Sequence, residues 1–270
     1  MPDEQATDNR YFTILSEPLK VCASYKPMFG QGQKGGTSLA QFQTIYGGDS
    51  FYKWIGLDSP LMYAAHKAAG GMTSIYRQIG LGCERLFRQL LQDHLGLSPA
   101  EATWSYQVPQ TTEKSRKLAL DGRIEIGHIK DPAARNRVAA WTESVKNKVG
   151  LIPEAASVTK GTVFEVRQGY KSKDSKRQNA DIANASNAYA NLYVPVLLLL
   201  SSQIDGDLYY RYSTAKWLIL TGTLEGASTD STYVFCKDVL NYDLAGFFSR
   251  NSARIKSELE AVLDALLTAQ

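Results

Sequence analysis

The sequence predicts an α/β protein in which a central mixed β-sheet is flanked by helices and preceded by an irregular N-terminal appendage. Three observations lead there. Helical and strand periodicities alternate from about residue 75 onward. A continuous apolar run, Val194 to Leu200, has the character of a strand buried on both faces. A last stretch carries Ile255, Leu259, Val262, Leu263 and Leu266 at helical spacing, the stripe of an amphipathic helix. Helices and strands in alternation bury their apolar faces most simply as helices over a sheet.

The elements follow in order. Residues 1–75 form the appendage: Lys26 to Gly48 is rich in Gly, Gln and aromatic residues, which favours loops and turns. The core domain covers 76–270. Leu86, Phe87, Leu90, Leu91 and Leu95 share one face of a helix over 83–95 that Gly96 is placed to end. Trp104 to Val108 is a short aromatic and β-branched strand. Leu118, Leu120, Ile124 and Ile126 alternate with Ala119, Asp121, Arg123 and Glu125, a strand whose polar face carries Asp121. Asp131-Pro132 opens a helix marked by Val138, Trp141 and Val145 and stopped at Gly150. Val163 to Arg167 is a strand with Glu165 and Arg167 on one face. Ile182, Ala185, Tyr189 and Tyr193 mark a helix over about 180–192, and Lys216 to Thr221 is another short strand.

Composition bounds the function. The 270 residues hold 30 Lys and Arg against 27 Asp and Glu, a net charge of only +3. Charge is nevertheless segregated: Lys114 to Arg177 holds 15 cations and 7 acids, a net +8 that leaves −5 elsewhere. Such clustering suits a polyanion partner, because Lys and Arg that neutralise phosphates release counterions. The longest apolar stretch, Tyr193 to Leu200, is far short of the roughly 18 residues of a spanning helix, so no membrane is expected. The acidic, polar start Met1-Pro2-Asp3-Glu4 is unlike a secretory leader and predicts a cytoplasmic location. Cys22, Cys83 and Cys236 are widely spaced and read as buried thiols.

Familiar catalytic signatures are missing. There is no His-Glu-x-x-His, no Gly-x-Ser-x-Gly, and the histidines His66, His94 and His128 are isolated. Gly30 to Gly35 matches Gly-x-Gly-x-x-Gly, but no helix pattern opens from it, and Gly36 stands where a phosphate loop needs lysine. Two acids on polar strand faces remain, Asp121 and Glu165, within the positive segment. Converging, they would bind Mg²⁺, a hard ion that uses one or two carboxylates together with phosphate oxygens. Arg167 or Lys171 would orient the water or the phosphate. The same residues also fit a structural reading in which Asp121-Gly122 is a turn and Glu165 and Arg167 pair as surface charges.

The order Glu84 on a helix, Leu120-Asp121-Gly122-Arg123 on a strand, Phe164-Glu165-Val166-Arg167 on the next, then a helix and an apolar strand, resembles the PD-(D/E)xK nuclease superfamily. The stretch from Glu165 to Asp181 is similar to type II restriction endonucleases in particular. The resemblance spans roughly 84–222 and implies a restriction-endonuclease-like core with Asp121 and Glu165 as metal ligands and Glu84 as a supporting acid. It also implies Mg²⁺-dependent cleavage of double-stranded DNA by a homodimer. Leu120 stands in place of the motif's proline, and Arg167 in place of its lysine. An always-protonated guanidinium is a poor general base. Lys171 would serve only if the strand ran on regularly past Gln168-Gly169.

The basic stretch after this strand, with Lys171, Lys173, Lys176, Arg177, Gln178 and Asn179, mixes phosphate-neutralising groups with groups that read base edges. It reads as a DNA-recognition loop. A repair or other host nuclease on the same core, or a DNA-binding protein without catalysis, are the alternatives.

Overall fold

A computed structural model describes residues 3–29, 35–109, 115–169 and 175–268. The chain begins with α1 (Glu4–Ser16), where the Asp3 carboxylate accepts the Gln5 amide, and passes through a 3₁₀ turn, Glu17–Leu19, into α2 (Lys20–Ala23). Ser38 and Gln41 then cap α3 (Leu39–Gly47) reciprocally: the Gln41 amide donates to Ser38 Oγ at 3.3 Å and the Ser38 amide to Gln41 Oε1 at 2.9 Å. Asp49 caps α4 (Ser50–Trp54), and α5 (Pro60–Leu95) follows, its end marked by Gly96 at φ +66°. The N-terminal part is thus helical, not the irregular appendage that its composition predicts. Its glycines and glutamines obscured a capping box and the long first half of α5.

Next, β1 (Trp104–Pro109) pairs antiparallel with β2 (Ser115–Leu120) as a two-stranded sheet, and β3 (Gly122–Glu125) joins a different one. The single strand expected over 118–126 is therefore broken at Asp121. After it come α6 (Pro132–Lys148), with the Asp131 carboxylate accepting the Ala134 amide at 2.8 Å, α7 (Pro153–Val158) and β4 (Gly161–Arg167). Then α8 (Ser175–Ala190) leads to β5 (Tyr193–Leu199), α9 (Gly206–Thr214) to β6 (Leu218–Leu220), and α10 (Thr232–Asp238) and α11 (Leu244–Leu267) close the chain.

The fold is α/β: 61% of the described residues are helical, and a mixed four-stranded sheet runs in the order β3-β4-β5-β6. β3 and β4 are antiparallel, with Gly122 opposite Phe164, while β4, β5 and β6 are parallel, joined through α8 and α9. Helices cover both faces. On one, Phe164 meets Phe87 of α5 and Phe235 of α10, with ring centroids 4.9 and 5.8 Å away. On the other, Val163, Leu197 and Leu199 share a core with Ala185 and Ala188 of α8 and with Leu208 and Tyr212 of α9. Among the described residues no helix is long and apolar enough to cross a membrane.

The chain divides into two compact units, Met1–Gly82 with Arg250–Gln270, and Cys83–Ser249. The sheet lies wholly in the second. Most of α11, which the sequence assigns to the core domain, belongs with the N-terminal unit, and the border falls at Gly82 inside α5, not at residue 75. In the first unit, Arg250 holds Asp8 through Nε at 2.9 Å and Nη2 at 3.0 Å, and Lys67 donates to the carbonyls of Ala265 and Thr268 at the end of α11. Gly82 is required by close approach: a Cβ there would stand 2.3 Å from the Leu15 carbonyl oxygen.

Candidate active site

The break at Asp121 is what makes this residue available. The Asp121 amide donates to the Phe164 carbonyl at 2.7 Å, and its carboxylate Oδ2 accepts from the Val166 amide at 2.8 Å. Side chain thus substitutes for main chain where β3 has run out, anchoring the carboxylate against β4 one residue beyond Glu165. Gly122 follows because a Cβ there would lie 2.8 Å from the Phe87 ring. Glu84 approaches from α5 closely enough that the charge of Asp121 bears on its carboxyl. One turn on, Arg88 donates through Nη1 to the Asp121 carbonyl at 3.4 Å. The structure therefore groups Glu84, Asp121, Glu165 and Arg167, four of the five predicted catalytic residues. The fifth, Lys171, lies outside the described residues, and β4 ends at Arg167 before reaching it.

The three acids hold protons more tightly than free carboxylates do. Burial is the chief cause for each. Glu84 is pushed up to about 7, next by the charge of Asp121, with Arg88 and Arg167 opposing. Glu165 is raised well above its ordinary range, the neighbouring Asp121 adding to burial. Asp121 is raised too, against the Val166 amide and Arg167, which favour its charged form.

Sequence reasoning missed Asp181. Arg167 Nη2 stands 2.5 Å from Glu165 Oε1 and 3.2 Å from Asp181 Oδ2, and the Tyr212 hydroxyl donates to that same Asp181 oxygen. The side chains of Glu165, Arg167 and Asp181 are 12%, 10% and 5% exposed, so their pairing is not the surface ion pair of the structural reading. Asp181 belongs to a buried stripe of Asp181, Asn184, Ala185 and Ala188 along α8. That spacing is legible in the sequence, but the bulkier Ile182 and Tyr189 draw the stripe one residue aside.

The other predicted positions divide. Lys173, like Lys171, lies outside the described residues, as does Gly30 to Lys34. α8 opens at Ser175, so Lys176, Arg177, Gln178 and Asn179 lie in its first turns and not in a loop. Asn179 Oδ1 accepts from Arg211 Nη2 at 3.3 Å. Several cations of the +8 segment are engaged within the protein: Arg123 with the carbonyls of Ala100 and Glu101, Arg137 with that of Val239, Lys146 with Glu143, and Lys148 with Asp230. The linear charge count therefore exceeds the charge offered to solvent, although Lys130 and Lys160 are exposed. Cys22, Cys83 and Cys236 are buried free thiols.

The donors are carboxylate oxygens alone, four acids around Arg167 and Arg88, a chemistry that fits a hard cation and not a soft one. Among the described residues no three His, Cys, Asp or Glu side chains are grouped to hold an ion by themselves. An ion held by Asp121 and Glu165 would keep water or substrate oxygens in its remaining positions, as Mg²⁺ commonly does. No family model matches the chain, and no curated protein or solved structure is significantly similar to it.

Proposed function

We propose that this protein is a Mg²⁺-dependent endonuclease of restriction type, with a PD-(D/E)xK-like core, that cleaves double-stranded DNA in the cytoplasm as a homodimer. The observation that carries the reading is the convergence of Glu84, Asp121, Glu165 and Arg167 from a helix, a strand break and a neighbouring strand, in the order the superfamily's motif has them. Four acids against two arginines carry an excess of negative charge once ionised; burial and mutual repulsion oppose that ionisation, and a divalent cation would favour it by neutralising the excess. Asp121 and Glu165 would hold the ion. Once bound, it would supply activated water and stabilise charge on the scissile phosphodiester. Glu84 would tune the charge of Asp121 through the mutual repulsion of the two neighbouring carboxylates. Arg167, permanently protonated, would orient Glu165 and stabilise anionic oxygen without acting as a base. Twofold symmetry would match a palindromic site.

A DNA-binding protein without catalysis is favoured by one observation: Glu165 Oε1 is already occupied by Arg167 at 2.5 Å. Incubating the purified chain with plasmid DNA and Mg²⁺ decides between the readings. Discrete fragments that disappear with EDTA are expected. A salt-sensitive gel shift without any cutting would support the second reading, and nonspecific degradation a nuclease of another kind.

A further inference from the structure

The same nitrogen of Arg167, Nη2, faces two buried carboxylates on different elements, Glu165 Oε1 of β4 at 2.5 Å and Asp181 Oδ2 of α8 at 3.2 Å. Arg167 also donates to the second Asp181 oxygen at 3.5 Å. Glu165 cannot give that oxygen to a metal while the guanidinium holds it. A lysine in this position could surrender its charge by losing a proton; an arginine cannot, and an unpaired buried guanidinium is costly. A second acid within reach solves this.

We propose that Asp181 is a positioning residue that receives Arg167 when a divalent cation engages Glu165, so that Arg167 is handed from one carboxylate to the other and stays paired throughout. Asp181 is placed for this by the buried stripe of α8, and the oxygen that faces Arg167 is shared with the Tyr212 hydroxyl, a second donor that competes for it. Arg167 stands where the motif that the chain resembles has lysine. Here arginine at 167 and aspartate at 181 form one device, the aspartate keeping the arginine paired once Glu165 is released. The inference rests on the nuclease reading.

The test is Mg²⁺ binding to the full chain without DNA, followed by titration calorimetry in a double-mutant cycle. Asp181→Asn should weaken Mg²⁺ binding about tenfold when Arg167 is present and by no more than about twofold in an Arg167→Gln background. Equal loss in both backgrounds, as simple charge removal predicts, overturns the proposal, and so does no loss in either. Tyr212→Phe covers the case in which Asp181→Asn fails to fold. Removing the hydroxyl that shares Asp181 Oδ2 leaves this oxygen a stronger acceptor for Arg167 and should tighten Mg²⁺ binding about threefold. Unchanged or weaker binding rejects the hand-over, because no charge has altered. A wild-type chain that binds no Mg²⁺ and cuts no DNA removes the nuclease reading and this inference together. One that binds and cuts, but shows an additive cycle, removes this inference alone.

Discussion

Asp121 accepts the Val166 amide through Oδ2 at 2.8 Å, so a side chain occupies a rung of the β-ladder directly beside Glu165. Its two duties, completing the sheet and serving as a candidate ligand, can be separated by substitution. Asp121→Asn retains an oxygen for the Val166 amide and removes a buried charge, so stability should equal or exceed that of the wild type. Asp121→Ala orphans the amide and should cost about 1–3 kcal/mol. Both should lack cleavage activity. Urea denaturation measures the difference; an Asn variant as unstable as the Ala variant would show that the ladder contact contributes nothing.

Glu84 gives the fold a pH signature. Its carboxyl is raised from an ordinary 4.5 to about 7, chiefly by burial. Below pH 4.5 both folded and unfolded chains hold its proton and it contributes no slope. Between 4.5 and about 7 only the folded chain retains the proton, so stability falls as pH rises through this window. Asp121 and Glu165 shift in the same sense. Thermal melts from pH 4.5 to 7 should show this decline in the wild type and a shallower one in Glu84→Gln. Parallel profiles for the two proteins would place the titration elsewhere.

Asp8 has the opposite sign. Its hydrogen bond to Arg250 leads the causes that lower its pKa, so its contribution is present above 3.8 and disappears as pH falls through the folded value. Arg250 is 40% exposed, which weakens the pair, and Asn251 adds a bond to Asp8 Oδ2 at 3.1 Å. Asp8→Ala should destabilise the chain by about 1–2 kcal/mol at neutral pH and by less in acid. A loss independent of pH would mean that packing, not charge, is what Asp8 provides.

How far the sequence could be read depended on whether the signal was local. The Asp131-Pro132 cap, the strand at Val163 and the apolar run to Leu199 lie where periodicity and capping put them, because short-range rules determine them. The break at Asp121 does not. Alternation continues unbroken from Leu118 to Ile126, and only pairing with two different strands, β1 and β4, divides it. Asp181 was hidden for a related reason: its worth lies in Arg167 and Tyr212, remote in sequence, while the local apolar pattern centres on Ile182. The local charge count failed at Arg123, Arg137 and Lys148, whose partners are carbonyls and an acid from other segments. Of the candidate site, the acids on strands were legible; the ionic partners that determine their chemistry were not.

Because so many of those cations are engaged, DNA affinity should depend on a smaller set, and the first turn of α8 is where the sequence concentrates it. Lys176 and Arg177 follow Ser175, the residue that opens the helix. Each phosphate contact contributes a slope of about 0.9 in the plot of log affinity against log salt. Lys176→Ala and Arg177→Ala should each weaken binding to every duplex and flatten that slope by about this amount, without restoring or abolishing Mg²⁺ binding at the carboxylates. Fluorescence anisotropy with a labelled duplex in Ca²⁺, across a range of salt, gives both affinity and slope. If one variant instead loses discrimination between duplexes while its slope stays unchanged, that residue reads a base edge, because a phosphate contact is indifferent to sequence. If neither affinity nor slope moves, the start of α8 makes no contact with DNA, and the exposed Lys130 and Lys160 become the next positions to substitute.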